Sequence, residues 1–154
     1  MASASTGYKA PSLYQLSYND ALKPEQSFNT EIGMEYKTNP LFFRAVYYNR
    51  TIDNGIDYNY IDYNFFNYIQ QKVNGLELEF NWKANEKNNF SANYTLMNGQ
   101  ETNQNRVTTS DTITYNYLLK RPKNTAGVQW TYEVSPKLNF SLAARYISKR
   151  YDVG

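Results

Sequence analysis

Residues 73–83, Val-Asn-Gly-Leu-Glu-Leu-Glu-Phe-Asn-Trp-Lys, alternate between polar and apolar side chains from Gly75 onward. On an extended backbone Leu76, Leu78, Phe80 and Trp82 share one face, while Gly75, Glu77, Glu79, Asn81 and Lys83 share the other. A helix would scatter both sets. Two architectures use such a strand. A soluble sheet buries the apolar face in a core, whereas a transmembrane barrel turns it to lipid and lets the polar face line a wet lumen.

The pattern recurs along the chain. Phe28, Thr30, Ile32, Met34 and Tyr36 oppose Asn29, Glu31, Gly33, Glu35 and Lys37, and Phe90, Ala92, Tyr94 and Leu96 oppose Asn89, Ser91, Asn93 and Thr95. After Pro122, Ala126, Val128, Trp130 and Tyr132 face away from Thr125, Gly127, Gln129 and Thr131; Leu138, Phe140, Leu142, Ala144 and Tyr146 then alternate with Asn139, Ser141, Ala143 and Arg145. Between residues 41 and 50 aromatics occupy both faces. Two arginines belong in water rather than lipid, so Leu41, Phe43, Ala45 and Tyr47 are read as outward and Arg44, Val46, Tyr48 and Arg50 as inward.

These segments divide the chain into a loop at 7–26, a strand pair at 27–50, a long loop at 51–68, a strand pair at 69–97, a long loop at 98–121 and a strand pair at 122–150. Within each pair the connection is short, at residues 37–40, 84–88 and 135–136, and rich in turn formers. Short turns alternating with long loops are the layout of an outer-membrane barrel. The predicted fold class is therefore all-β, an antiparallel transmembrane β-barrel segment of about six strands. Tyr36, Trp82 and Tyr132 lie beside short turns, as an interfacial aromatic girdle requires. Closing a barrel takes at least about eight strands, so the chain reads as a piece of a larger barrel or one that closes with other chains.

Composition narrows the chemistry. Sixteen Lys and Arg stand against fourteen Asp and Glu, a net charge of +2, so no phosphate-tracking surface and no nucleic-acid partner is expected. The chain has neither Cys nor His, which removes disulfides, thiol nucleophiles and the commonest general base. Mean hydropathy is −0.74 although 17 % of the residues are aromatic. Strands with a single apolar face joined by wet aromatic loops give that combination. The opening Met-Ala-Ser-Ala-Ser-Thr-Gly has no basic or apolar signal region, and the chain is expected to start inside a strand of a longer protein.

Candidate ligand contacts are Tyr58, Tyr60 and Tyr63 in the long loop, because tyrosine offers rigid area with a polar tip. Packing of that loop against its neighbours accounts for the same residues. Glu31, Glu35, Glu77 and Glu79, with Arg44 and Lys83, are read as a ladder of opposite charges on the inner wall rather than catalytic carboxylates. No enzyme activity is predicted. Asp53, Asp57 and Asp62 do not have the spacing of a calcium loop, so no metal and no cofactor are assigned.

Four blocks carry a family resemblance: Gly7-Tyr8-Lys9-Ala10-Pro11 with Leu16 after it, Leu22-Lys23-Pro24-Glu25, Asn74-Gly75-Leu76-Glu77 and Leu119-Lys120-Arg121-Pro122. In order and spacing they resemble the later half of the barrel of TonB-dependent outer-membrane receptors. Within that family the likeness is nearest to cobalamin receptors, which share a stretch similar to Ile56-Asp57-Tyr58. The resemblance implies a barrel of about 22 strands around a plug domain. It also implies a scarce small-molecule ligand taken up from the extracellular loops, and TonB acting through the plug. The implied partners are outer-membrane lipid, the remainder of the receptor, and the ligand, with cobalamin first and an iron siderophore next. The implied location is the bacterial outer membrane. Plug, TonB-contacting segment and a closing strand with a terminal aromatic lie outside the matched blocks. The competing reading is a soluble all-β binding module that uses Tyr58, Tyr60 and Tyr63 on a glycan or peptide.

Overall fold

A computed structural model describes residues 1–59, 61–105 and 111–152. Ten strands and one short helix follow in the order β1 (Ala2–Lys9), α1 (Leu13–Tyr18), β2 (Glu25–Lys37), β3 (Leu41–Asp53), β4 (Ile56–Asn59), β5 (Asn64–Asn67), β6 (Gln70–Lys83), β7 (Asn88–Gln104), β8 (Thr112–Tyr115), β9 (Asn124–Ser135) and β10 (Leu138–Ile147). The main sheet has eight strands in the order β1-β2-β3-β6-β7-β9-β10, with β8 paired to the outer part of β7. β4 and β5 form a separate hairpin. All pairings between named strands are antiparallel.

Register explains why alternation matters. Ile32, Tyr47, Leu76 and Leu96 stand in one row, and Met34, Ala45, Leu78, Tyr94, Ala126 and Tyr146 in the next. A slip of one residue in any strand would turn an apolar stripe to the polar side. The same register puts Leu41, Phe43, Ala45 and Tyr47 on this outward face and Arg44, Val46, Tyr48 and Arg50 on the other. Among the described residues no element covers the outward face. Ile32, Met34, Val128, Leu142 and Tyr146 are each more than half exposed, which is the state of a lipid-facing surface.

The three short turns lie together at one end. Thr38 and Leu41 exchange backbone hydrogen bonds of 2.8 Å, and the Asn85 carboxamide oxygen accepts from the backbone N–H of Lys87 and Asn88 at 3.0 and 2.9 Å. Beside them runs the aromatic belt. Trp82 stacks on Phe90, Phe90 on Trp130, and Trp130 meets Phe140 edge-on, with centroids 5.6, 6.3 and 6.1 Å apart. The Trp130 indole N–H donates to the Asn88 side chain at 2.9 Å, leaving the apolar ring body on the lipid side.

The structure has more strand than the alternation indicates. Instead of about six strands the main sheet contains eight, and the stretch read as the long loop 51–68 holds the end of β3 and the whole β4–β5 hairpin. Likewise β7 runs to Gln104, well into the stretch read as a loop from residue 98, and β1 occupies the Ser- and Thr-rich start. Crossing a bilayer takes roughly 9–11 residues of tilted strand, so strands of 12–17 residues project beyond it. Both faces are wet there. The ladder continues on backbone hydrogen bonds while the apolar alternation stops.

Buried side chains gather on the polar side of the sheet near the long loops, where Val46, Ile52, Val73, Leu22, Tyr68 and Leu118 are all less than a tenth exposed. Loops folded over the inner wall make this small core.

Candidate functional site

The end of the sheet opposite the short turns is built from loops that grip one another. Ser12 caps α1 by accepting from the Gln15 backbone N–H at 3.2 Å, while the Gln15 side chain accepts from the Ser12 N–H at 2.9 Å. The helix spacing then brings Tyr14 and Tyr18 to one side, with rings 5.1 Å apart and the Tyr14 hydroxyl donating to that of Tyr18 at 3.3 Å. That hydrogen bond holds the Tyr14 phenol above its ordinary pKa.

Phe65 of the β4–β5 hairpin is the hub of the cluster. Tyr14, Tyr18 and Tyr58 meet its ring edge-on at 6.0, 5.7 and 5.0 Å. Polar bonds fasten the same two loops: Asn19 donates to the Phe65 carbonyl at 2.9 Å. Asn67 accepts from the Lys23 N–H at 2.8 Å and donates to the Lys23 carbonyl at 2.9 Å. At the base of the hairpin the Tyr68 ring lies over Gly55, where any Cβ would collide with it. Burial pushes the Tyr68 phenol well above its ordinary pKa, helped by the carboxylates of Glu25, Glu101 and Asp57 and opposed by Arg50.

Of the three tyrosines singled out from sequence, Tyr58 belongs to this cluster, and Tyr63 stands at the hairpin turn, 71 % exposed and with φ of 53°. Tyr60 lies outside the described residues. The residues missed are Tyr14, Tyr18 and Phe65. The i, i+4 spacing of the first two behind a Ser-x-x-Gln cap was the available signal.

On the inner wall Arg44 stands directly opposite Glu35 on one side and Glu79 on the other. Glu31 instead faces Tyr48, Glu77 faces Val46 and Thr95, and Lys83 faces Asn89, so opposite charges share a register row only at Arg44, and among the described residues Arg44 forms no ion pair with either glutamate. Hollows open along this wall. One of about 470 Å³ is lined by Arg44, Glu77, Glu79 and Asn93; another of about 420 Å³ is lined by Arg50, Arg121, Tyr48, Glu31 and Glu77. Asp53 accepts from Gln70 across the β3–β6 pair, Asp57 from the Tyr58 N–H within β4, and Asp62 from Asn59 at the hairpin turn, so each aspartate has a structural partner. Among the described residues no group of three His, Cys, Asp or Glu could hold a metal ion.

The sheet thus has one bare apolar face, a polar inner wall and its long loops at one end. The family model for the TonB dependent receptor-like β-barrel matches residues 1–154. The chain belongs to that family. A curated relative from Acinetobacter baumannii, named "Probable TonB-dependent siderophore receptor PiuA", is 28 % identical over 141 residues, covering 86 % of this chain and 19 % of its own length. A crystal structure of a mutant of the ferric enterobactin receptor PfeA from Pseudomonas aeruginosa superposes with a TM-score of 0.54 at 22 % identity, covering 96 % of this chain and 32 % of that one. This chain therefore spans about a fifth of the curated relative and a third of the solved receptor. The TonB-dependent receptor barrel is the architecture the eight-stranded sheet reproduces in part. Cobalamin, the ligand suggested first by the sequence resemblance, finds no support, since the curated relative bears a siderophore receptor's name.

Proposed function

We propose that this chain forms barrel wall and outward loops of an outer-membrane transporter that imports a ferric siderophore with energy delivered by TonB through a plug domain. The observation that carries this reading is the two-ended sheet: short turns and an aromatic belt at one end, interlocked long loops with an aromatic cluster at the other. The siderophore receptor named among its relatives supports the ligand class over cobalamin. Tyr58 and Tyr63, together with Tyr14 and Tyr18, supply the first contact surface, and Tyr60 is included with them on its place in the same loop. The wall itself performs no bond-breaking chemistry. It shields a polar path from lipid, and the soluble-module alternative is disfavoured by the uncovered apolar face.

The test is uptake in cells that lack the receptor carrying this segment and are complemented with it. Radiolabelled iron chelates of the catecholate and hydroxamate classes and radiolabelled cobalamin are compared. Receptor-dependent and TonB-dependent uptake of an iron chelate is expected. Uptake of cobalamin alone, or of none of them, would overturn the siderophore reading.

A further inference from the structure

The two loops that carry the aromatic cluster are fastened through one carboxamide. Side chains two residues apart on a strand share a face, so Phe65 and Asn67 of β5 point the same way, with Tyr58 paired to Phe65 across the hairpin. The segment between α1 and β2 runs past this face. Lys23 lies outside the β2 ladder, which begins at Glu25, and Pro24 between them has no N–H to extend it. The Asn67 side chain takes both backbone groups of Lys23, accepting from its N–H at 2.8 Å and donating to its carbonyl at 2.9 Å. It also donates to the Asn54 carbonyl at 2.6 Å. Both donors and the acceptor of the carboxamide are then in use.

These bonds join three segments at one side chain. Asn54 follows β3 of the main sheet with a left-handed φ of 55°, and its N–H donates to the Ile69 carbonyl at 3.3 Å. Lys23 follows Leu22, a buried member of the small core. The hairpin is therefore tied to the wall through Asn54 and to the α1 loop through Lys23. Asn19, by comparison, gives the Phe65 carbonyl a single bond. Edge-on ring contacts such as those of Tyr14 and Tyr18 with Phe65 tolerate sliding, whereas directional amide bonds to both groups of one residue fix distance and orientation together.

We propose that Asn67 is the positioning residue of the outer contact surface, holding the Tyr58–Phe65 side against the Tyr14–Tyr18 side at the spacing a ligand meets. This deepens the transporter reading and rests on it. Asn67 preorganises the rings without touching the ligand, so its loss moves the cost of ordering two loops into the binding step and weakens capture.

The experiment uses the complete receptor with Asn67→Asp and Asn67→Ala. Aspartate keeps the shape of asparagine but sets carboxylate oxygens against the Lys23 and Asn54 carbonyls, which separates shape from bonding. The probes are a radiolabelled ferric tris-catecholate and a radiolabelled ferric tris-hydroxamate, with energised uptake measured across concentration. The half-saturating concentration is expected to rise about tenfold for Asn67→Ala and further for Asn67→Asp, with maximal uptake per assembled receptor unchanged. Without ligand, the distance between spin labels on Leu13→Cys and Ile61→Cys, two exposed positions, should be single in the unaltered receptor and spread in both variants. An unchanged half-saturating concentration would overturn the proposal. So would a fall in maximal uptake per receptor at the original half-saturation, or an aspartate variant equal to asparagine, since shape alone would then suffice. If the unaltered receptor takes up neither chelate, the transporter reading falls, and the label distances still decide whether Asn67 sets the spacing. Should Asn67→Asp fail to assemble, Asn67→Ala gives the same decision.

Discussion

Trp82 of β6 and Phe90 of β7 stack across their strand pair at 5.6 Å, with ring planes 25° apart, one step from the turn that joins them. The pair is the centre of the aromatic belt. Trp82→Ala is expected to destabilise the folded receptor by about 0.5–1.5 kcal/mol beyond the loss of its lipid contact. Urea titration in lipid vesicles measures this, and a loss no larger than that of an exposed loop residue would contradict the belt.

Gly75 lies under the Tyr48 ring and close to the Leu96 carbonyl, so an added methyl meets both a side chain and rigid backbone. Gly75→Ala is expected to cost about 1–3 kcal/mol. At Gly33 the nearest atoms to an added Cβ are 3.1–3.2 Å away, and Gly33→Ala should cost clearly less. The two midpoints in one denaturant series decide it.

Tyr68 keeps its proton in the folded protein to higher pH than in the unfolded chain. A phenol raised in this way contributes stability that is complete below the unfolded value of about 10 and is lost as pH rises toward the folded one. Stability should therefore fall with pH above about 10, and Tyr68→Phe should flatten that slope. Ultraviolet titration should show one tyrosine ionising last, and the same substitution should remove it.

Tyr58 and Tyr63 differ in what they support. Tyr58→Ala removes an edge-on contact to Phe65 and should loosen the hairpin by about 0.5–1.5 kcal/mol. Tyr63 holds a left-handed φ that asparagine tolerates better, so Tyr63→Asn should be neutral or stabilising by a few tenths of a kcal/mol, on the order of 0.5. Limited proteolysis of the loops reports both.

Residues 1–154 expressed alone should associate in buffer and disperse in detergent, because Ile32, Met34, Leu142 and Tyr146 lie on an uncovered face. Light scattering in the two media gives the answer. A monodisperse monomer without detergent would contradict the lipid-facing assignment.

The membrane-level strands were legible because lipid on one side and water on the other impose a period of two, as in Leu76 to Lys83. Where water wets both faces, that constraint lapses. The outer half of β7, with Gln100, Thr102 and Gln104 among its residues, looks like loop for this reason. The loop folded inward at Leu118 was invisible for another. Leu118 and Gly99 are 19 residues apart, and nothing local announces that one will cover the other. Tyr58 was singled out by its chemistry, whereas Tyr14 and Phe65 share an aromatic cluster with it only when two distant loops meet.

All three short turns share one end of the sheet, and every long connection is on the other. Insertions, deletions and substitutions at the outer end thus leave the row-by-row pairing at membrane depth untouched. Loop sequence and wall pairing are thereby decoupled, and the one can vary while the other keeps its register.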